Sequence, residues 1–344
     1  MRTISVVPSN ITPAFNDPSI EVLIDRFALD QDVVESSREL YVRTLRLFMN
    51  WLGEKGYALS QVDRSVIIQY KEDGLAKGLS GLTVGSYLTT VRKFYEWAEA
   101  NKLYPNVARG VKSPRRKRQF RRQPLTAQQG KDLLTNTAPT VESTEQYTVA
   151  DQEHLLTLRD HAIANLLLRT GLRTIELIRA DVGDIAMKAG KRILKIQGKG
   201  RDEKDNFVIL TDKAYSPIAT YLKQRAAATS RKPRQRPSVA RPDPQEPLFV
   251  SHSNNNRGGR LTTRTIRQVA KEQLREIGID SPEYTAHSFR HSTAVNILLN
   301  GGTIEEAQGV LRHASPATTQ IYTHTVEEQM RLLRASEERL DDVF

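Results

Sequence analysis

From Ser80 to Lys102, the residues Val84, Tyr87, Leu88, Val91, Tyr95 and Ala98 recur at the spacing of one helical face, and this stripe most narrows the fold. A helix so marked has to bury that face against other elements. Suitable partners precede it. A first helix is expected from about Ile20 to Leu29. Ser36-Ser37-Arg38-Glu39 has the capping-box pattern, and the helix it opens carries Tyr41, Leu45, Phe48 and Leu52 on one side before ending at Gly56. A third fits about Asp63 to Lys77. Four amphipathic helices with short links predict a bundle over residues 18–111, preceded by a loose arm, 1–17, that holds Pro8 and Pro13. Away from the apolar stripes lie Arg43 on one helix and an expected exposed set, Ser86, Thr90 and Lys93, on another. Short polar or cationic side chains beside an apolar anchoring face are what groove reading requires. Ordinary solvated faces look the same, so the pattern leaves both readings open.

Residues 112–124, KSPRRKRQFRRQP, are the most basic stretch, bounded by prolines and without apolar periodicity. That composition is a linker. It is either a flexible tether or a positive strap lying along phosphates. Lysine and arginine outnumber aspartate and glutamate by 51 to 40 over the whole chain, a net +11 that favours a polyanionic partner. The absence of cysteine excludes disulfides, thiolate metal sites and cysteine nucleophiles. With no apolar run of membrane-spanning length and no secretory-type start, the expectation is a cytoplasmic protein without membrane contact.

A second domain, 125–344, is expected to open with a helix near Leu125-Thr126 that includes Asp132, Leu133 and Leu134. A polar loop at 137–151 follows, then a strongly apolar helix from His161 to Arg169. Residues 192–197 and 206–210 read as two strands of a hairpin with Lys199 at the connecting tip. Segment 230–247, rich in proline and arginine, reads as an insertion or exposed loop. Thr262 or Thr263 caps a helix to about Ile277 bearing Arg264, Arg267 and Lys271 along one stripe, either groove-facing or merely solvated.

The last third concentrates chemistry. His287 and Arg290 are three apart and share a helical face. After the Gly301-Gly302 break comes an amphipathic segment, then Leu311-Arg312-His313-Ala314-Ser315. Ser315-Pro316 has the form of a helix start, and that helix would carry Tyr322. A further helix is expected from Val326 to Leu340.

HSFRH, LRHAS and the tyrosine of QIYTH resemble the C-terminal signature of the tyrosine recombinases, the phage integrase family that includes Cre and the Xer recombinases. Thr170-Gly171-Leu172-Arg173-Thr174-Ile175-Glu176-Leu177 is similar to the family's first arginine box, and Lys199 in its Gly-Lys-Gly turn is similarly placed. One departure is Arg312, where the family most often has glycine. The resemblance implies a mainly α fold: an N-terminal helical core-binding bundle that clamps DNA, joined to a C-terminal mixed α/β catalytic domain with a small antiparallel sheet.

It also implies roles. Tyr322 would attack a phosphodiester, leaving a 3′-phosphotyrosine and a free 5′-hydroxyl, so that the bond energy is kept and the strand can be resealed. Arg173 and Arg290 suit the non-bridging oxygens, because guanidinium stays charged and offers forked donors. His313 would add a hydrogen bond to the same phosphate. His287 is a candidate base for the tyrosine hydroxyl or another phosphate donor. Lys199 would protonate the leaving oxygen, with Lys204 the next candidate. Glu176 would orient the arginine or a histidine. No cofactor or metal is expected, because carboxylate clusters and HExxH spacing are lacking and the cations replace the ion. Implied partners are double-stranded DNA with inverted-repeat recombination sites, and three further copies in a homotetramer joined through the C-terminal tail. The implied setting is the bacterial nucleoid, with a phage, plasmid or transposon origin. A type IB topoisomerase-like nicking-closing enzyme shares the chemistry, and a DNA-binding protein without catalysis shares the charge.

Overall fold

The structure, a computed structural model, describes residues 18–115, 122–139, 152–198, 203–230, 244–312, 322 and 326–327. The chain divides into two units, Met1–Arg118 and Gln119–Phe344. It is mainly helical with a small antiparallel sheet, the class expected from the sequence.

The first unit is built from α1 (Pro18–Leu29), α2 (Glu35–Lys55), α3 (Arg64–Ala76) and α4 (Gly81–Ala100). Its core gathers the stripes: Ile24 and Phe27, then Leu45, Phe48 and Leu52, then Val66 and Ile67, then Val84, Leu88, Val91 and Tyr95. Asp63 caps α3 by accepting from the Ser65 and Val66 amides, and Ser80 caps α4 by accepting from the Thr83 amide. Two expectations need correction. α2 begins two residues earlier than the capping-box pattern suggests, behind Val34, without a side-chain cap. Arg38 instead turns back to Glu35 at 2.6 Å, within the first turn. Thr90, expected on an exposed face, is buried, and its hydroxyl lies 2.6 Å from that of Thr44 in a hydrogen bond between α4 and α2. A small side chain with a polar tip fits a helix–helix contact provided a partner hydroxyl satisfies it. Of the other three residues in that set, Arg43 and Lys93 are exposed and Ser86 is half-buried.

In the second unit, α5 (Ala127–Asn136) starts at a reciprocal cap between Thr126 and Gln129. α6 (Gln152–Thr170) is twice as long as its apolar stretch suggested and runs through the core, with Ala162, Ile163, Leu166 and Leu167 buried. A short α7 (Thr174–Arg179) follows. The sheet has three strands rather than two: β1 (Ile185–Lys188), β2 (Lys191–Ile196) and β3 (Asn206–Ile209), antiparallel in that order. The tight turn Ala189-Gly190, both at positive φ, joins the strand that the sequence reading missed. Helices α8 (Asp212–Ser230), α9 (Thr263–Arg275), α10 (Ala286–Leu299) and α11 (Ile304–Leu311) complete the unit. Leu194, Ile196, Ile218, Ile266, Leu274 and Phe289 join α6 in one core. A satellite cluster of Ala294, Val295, Leu311 and Tyr322 sits at the far side of α10. No helix among the described residues is long and apolar enough to cross a membrane.

Lys199, His313, the Ser315-Pro316 helix start and most of the expected 326–340 helix lie outside the described residues, as do the arm 1–17, linker residues 116–121 and most of the 137–151 and 230–247 segments.

Candidate active site

Gly171 shapes the site first. Its φ is +60°, and a Cβ there would meet Leu311 Cδ2 at 2.6 Å and Thr293 at 3.4 Å. Only glycine allows this left-handed turn at such close approach. The turn ends α6, starts α7, and points the Gly171 carbonyl at Arg290, whose guanidinium donates to it and to the Leu311 carbonyl. Arg290 is only 5% exposed. Burial, then the neighbouring charges of Arg173 and Arg312, push its pKa down to about 9, which leaves it cationic at neutral pH.

Arg173 stands at the start of α7. Its Nη1 donates to Glu176 Oε1 at 2.6 Å, its Nη2 to the Arg312 carbonyl at 3.2 Å, and its backbone N–H to Glu176 Oε2 at 2.8 Å. Two guanidinium groups therefore converge on consecutive carbonyls, Leu311 and Arg312, at the end of α11. Arg312 ends that helix in the left-handed region, φ +53°. Glycine takes that conformation at least cost, whereas a side chain there is strained by about 1–2 kcal/mol. Here the side chain reaches Glu176 Oε2 at 2.9 Å.

Tyr322 is 2% exposed, seated against Ala294, Val295 and Leu311. Its hydroxyl lies 2.7 Å from Nδ1 of His291. Burial pushes its pKa up to about 12, against the opposing pull of Arg290 and Arg173. His287, one turn before His291, is exposed, and its ring centre is 6.1 Å from that of His291. Its pKa is lowered by desolvation and by the cations Arg290, Arg122, Arg267 and Arg173.

Beside His287 opens a hollow of about 410 Å³ lined by Arg122, Thr174, Arg267, Lys271, Tyr284 and Thr285, among others. Of the α9 stripe, Arg267 and Lys271 thus share the hollow with His287, while Arg264 is exposed one turn earlier. Lys271 is already engaged, with Asp280 at 2.8 Å and the Ser281 carbonyl at 2.9 Å. Arg122, placed in the linker by composition, donates to the Pro282 carbonyl at 2.6 Å. Lys204 pairs with Asp181 at 2.7 Å and Asp184 at 2.5 Å, which raises its pKa despite partial burial. A lysine so held is a poor proton donor to a leaving group.

Two residues of the site escaped the sequence reading, His291 and the side chain of Arg312. His291 was within reach: it stands four after His287, on the face already assigned to His287 and Arg290.

Known proteins carry the same sequence pattern and fold. The phage integrase family matches residues 139–329, more than half of the chain. The chain belongs to the phage integrase family. The N-terminal SAM-like domain of phage integrases matches residues 24–102. Among related family members, "Tyrosine recombinase XerD" of Xanthomonas axonopodis pv. citri (strain 306) is 28% identical over 318 residues, covering 92% of this chain and 96% of that one. "Tyrosine recombinase XerC" of Corynebacterium glutamicum is 28% identical over 329 residues, covering 95% and 94%. The fold of this phage integrase family chain is similar to that of XerH site-specific recombinase bound to palindromic difH substrate, with TM-score 0.65 at 18% identity over 88% of this chain and 80% of that one. It is also similar to a lambda integrase tetramer bound to a Holliday junction, with TM-score 0.59 at 14% identity over 88% and 76%.

Proposed function

We propose that this chain is a site-specific DNA recombinase that cuts and rejoins strands through a 3′-phosphotyrosine intermediate and a Holliday junction. The observation that carries the reading is the convergence of Arg173 and Arg290 on neighbouring carbonyls, with the Tyr322 hydroxyl close enough to feel both charges. Each guanidinium has further N–H donors beyond those given to the carbonyls. Aimed at a phosphate, they stabilise the charge that builds on its non-bridging oxygens more than they stabilise the ground state. Tyr322 attacks phosphorus, and its low leaving-group basicity as phenolate keeps the step reversible. His287 and Arg122 at the rim of the cationic hollow, with Arg267 beside them, hold the flanking backbone. His313 and Lys199 complete the set as phosphate donor and general acid, and Glu176 holds Arg173.

Relatives named as tyrosine recombinases, and solved neighbours bound to recombination substrates, support extending this chemistry to double-stranded DNA with inverted-repeat sites and to a homotetramer; the C-terminal tail as the joint between copies is carried over from the sequence resemblance. The domain plan is a DNA-clamping bundle at 18–111, a basic linker at 112–124 and a catalytic domain from 125.

The test starts from a duplex selected for binding out of a random-sequence library. On plasmids carrying two copies of that duplex, wild-type protein yields exchanged products and an SDS-stable protein–DNA adduct. Tyr322→Phe binds the duplex as tightly and leaves no adduct. Adducts persisting in the variant would remove Tyr322 as nucleophile, and plasmid relaxation without exchange would move the reading to a type IB topoisomerase-like enzyme.

A further inference from the structure

His291 is in hydrogen-bond contact with the hydroxyl oxygen that attacks. Its Nδ1 is 2.7 Å from the Tyr322 hydroxyl, and the two ring centres are 5.4 Å apart. Buried neighbours on either side of the helix, Arg290 and Ser292, fix its position on α10. His287 is arranged otherwise. It is exposed, a turn away, and shares a hollow with Arg122, Arg267 and Lys271, a setting for a phosphate oxygen rather than for a phenol.

We propose that His291, not His287, is the catalytic base that takes the proton from Tyr322. The inference rests on Tyr322 being the nucleophile. As the Oη–phosphorus bond forms and the phosphorus–O5′ bond breaks, the Tyr322 proton passes to Nδ1 of His291. The electron pair of the broken bond leaves with O5′, which is protonated by a separate donor. In the reverse direction the 5′-hydroxyl attacks, the phenolate departs, and His291 returns the proton. Acceptance at Nδ1 requires the neutral tautomer with hydrogen on Nε2. The need for a base is physical. A phenol pushed up to about 12 is ionised to only about one part in a hundred thousand at neutral pH.

The charged and titratable groups around the pair come from every side. His287 and Arg290 stand on α10, Arg173 and Glu176 on α7 and its approach, and Arg312 at the end of α11. With His291 as base, the wild-type cleavage rate has an acid limb set by protonation of its imidazole.

The experiment uses the full chain and the library-selected duplex, nicked so that the short 5′-hydroxyl strand is released after cutting, with adduct formation followed in a single turnover. Wild type loses rate about tenfold per pH unit below its acid inflection, as one protonation dictates. His291→Gln still accepts a hydrogen bond but takes no proton, so its rate at neutral pH falls by about 10²–10⁴-fold, the range for removal of a general base. Its acid limb disappears, and the rate climbs with pH as the phenol itself ionises. His287→Gln, by contrast, keeps the acid limb. A second variant, His291→Ala carrying a fluorinated tyrosine of lower pKa at position 322, recovers rate relative to His291→Ala alone. A loss of packing would not respond to phenol acidity. His291→Gln cutting within about threefold of wild type with an intact acid limb would overturn the proposal. So would a faster variant, since the bond would then only restrain the tyrosine. Failure of the Tyr322 reading is separate: it shows as adduct formation by Tyr322→Phe.

Discussion

Glu176 is a buried carboxylate, 1% exposed, that no solvent compensates. Burial alone would raise its pKa, but Arg312 and Arg173 more than reverse that and hold it below the usual carboxylate range. A depressed folded pKa contributes stability that is fully present above the unfolded value, near 4.3, and is lost as pH falls through the folded value. Glu176→Gln removes one partner and leaves two guanidinium groups facing each other, a loss of about 3–5 kcal/mol at neutral pH for a buried pair. Thermal melts from about pH 7 to about pH 3 will show a large gap between the two proteins that narrows at the acid end, where wild type loses the same charge. A gap independent of pH would mean that Glu176 acts through packing alone. Part of this constellation was legible in the sequence. Arg173 and Glu176 are three apart, and the helical spacing paired them. Arg312 stood out only as a departure from glycine, because its contact with Glu176 spans 136 residues and no local pattern reports such a distance.

At the scale of elements, α9 and α10 share the cationic hollow, and the residues that line it there differ in what already holds them. Lys271 is committed to Asp280 and Ser281, so it is neutralised before any phosphate arrives. Arg267 is exposed on the same stripe and its charge is felt by His287. Arg267→Ala should therefore lower the slope of log affinity against log salt by about 0.9, the value for one neutralised phosphate, while Lys271→Ala changes it much less. Filter binding across a salt series checks this, and equal slopes for the two variants would remove the distinction. Periodicity placed both on one face correctly but was blind to Asp280, which lies beyond the helix end. The same blindness misplaced Thr90. Its helical phase put it at the edge of the apolar stripe, where only the partner helix decides between solvent and contact, and Thr44 on α2 decided for contact. Long stripes such as that of α4 fixed the elements. The edges of stripes, and β1 with only four residues, were set by neighbours that the sequence does not display.

For the whole molecule, a net +11 is a statement about partners rather than fold. Seven cations fall between Lys112 and Arg122, where the two units meet in sequence, the region with the highest charge density. Among them Arg122 bonds to Pro282 and lines the hollow of the second unit. A positive strap along the DNA backbone gives affinity without sequence information, because phosphates are the same at every step. Replacing Arg115, Arg116, Lys117 and Arg118 with glutamine is expected to weaken binding equally for the selected duplex and for random duplexes. The salt slope should fall by roughly 3–4, near 0.9 for each phosphate no longer neutralised, with the preferred sequence unchanged in a repeated selection. If these residues only tether the two units, removing their charge leaves the slope where it was. If they read bases, the selected sequence itself shifts. Measuring slope and preference on the same variant therefore separates strap, tether and reader in one experiment.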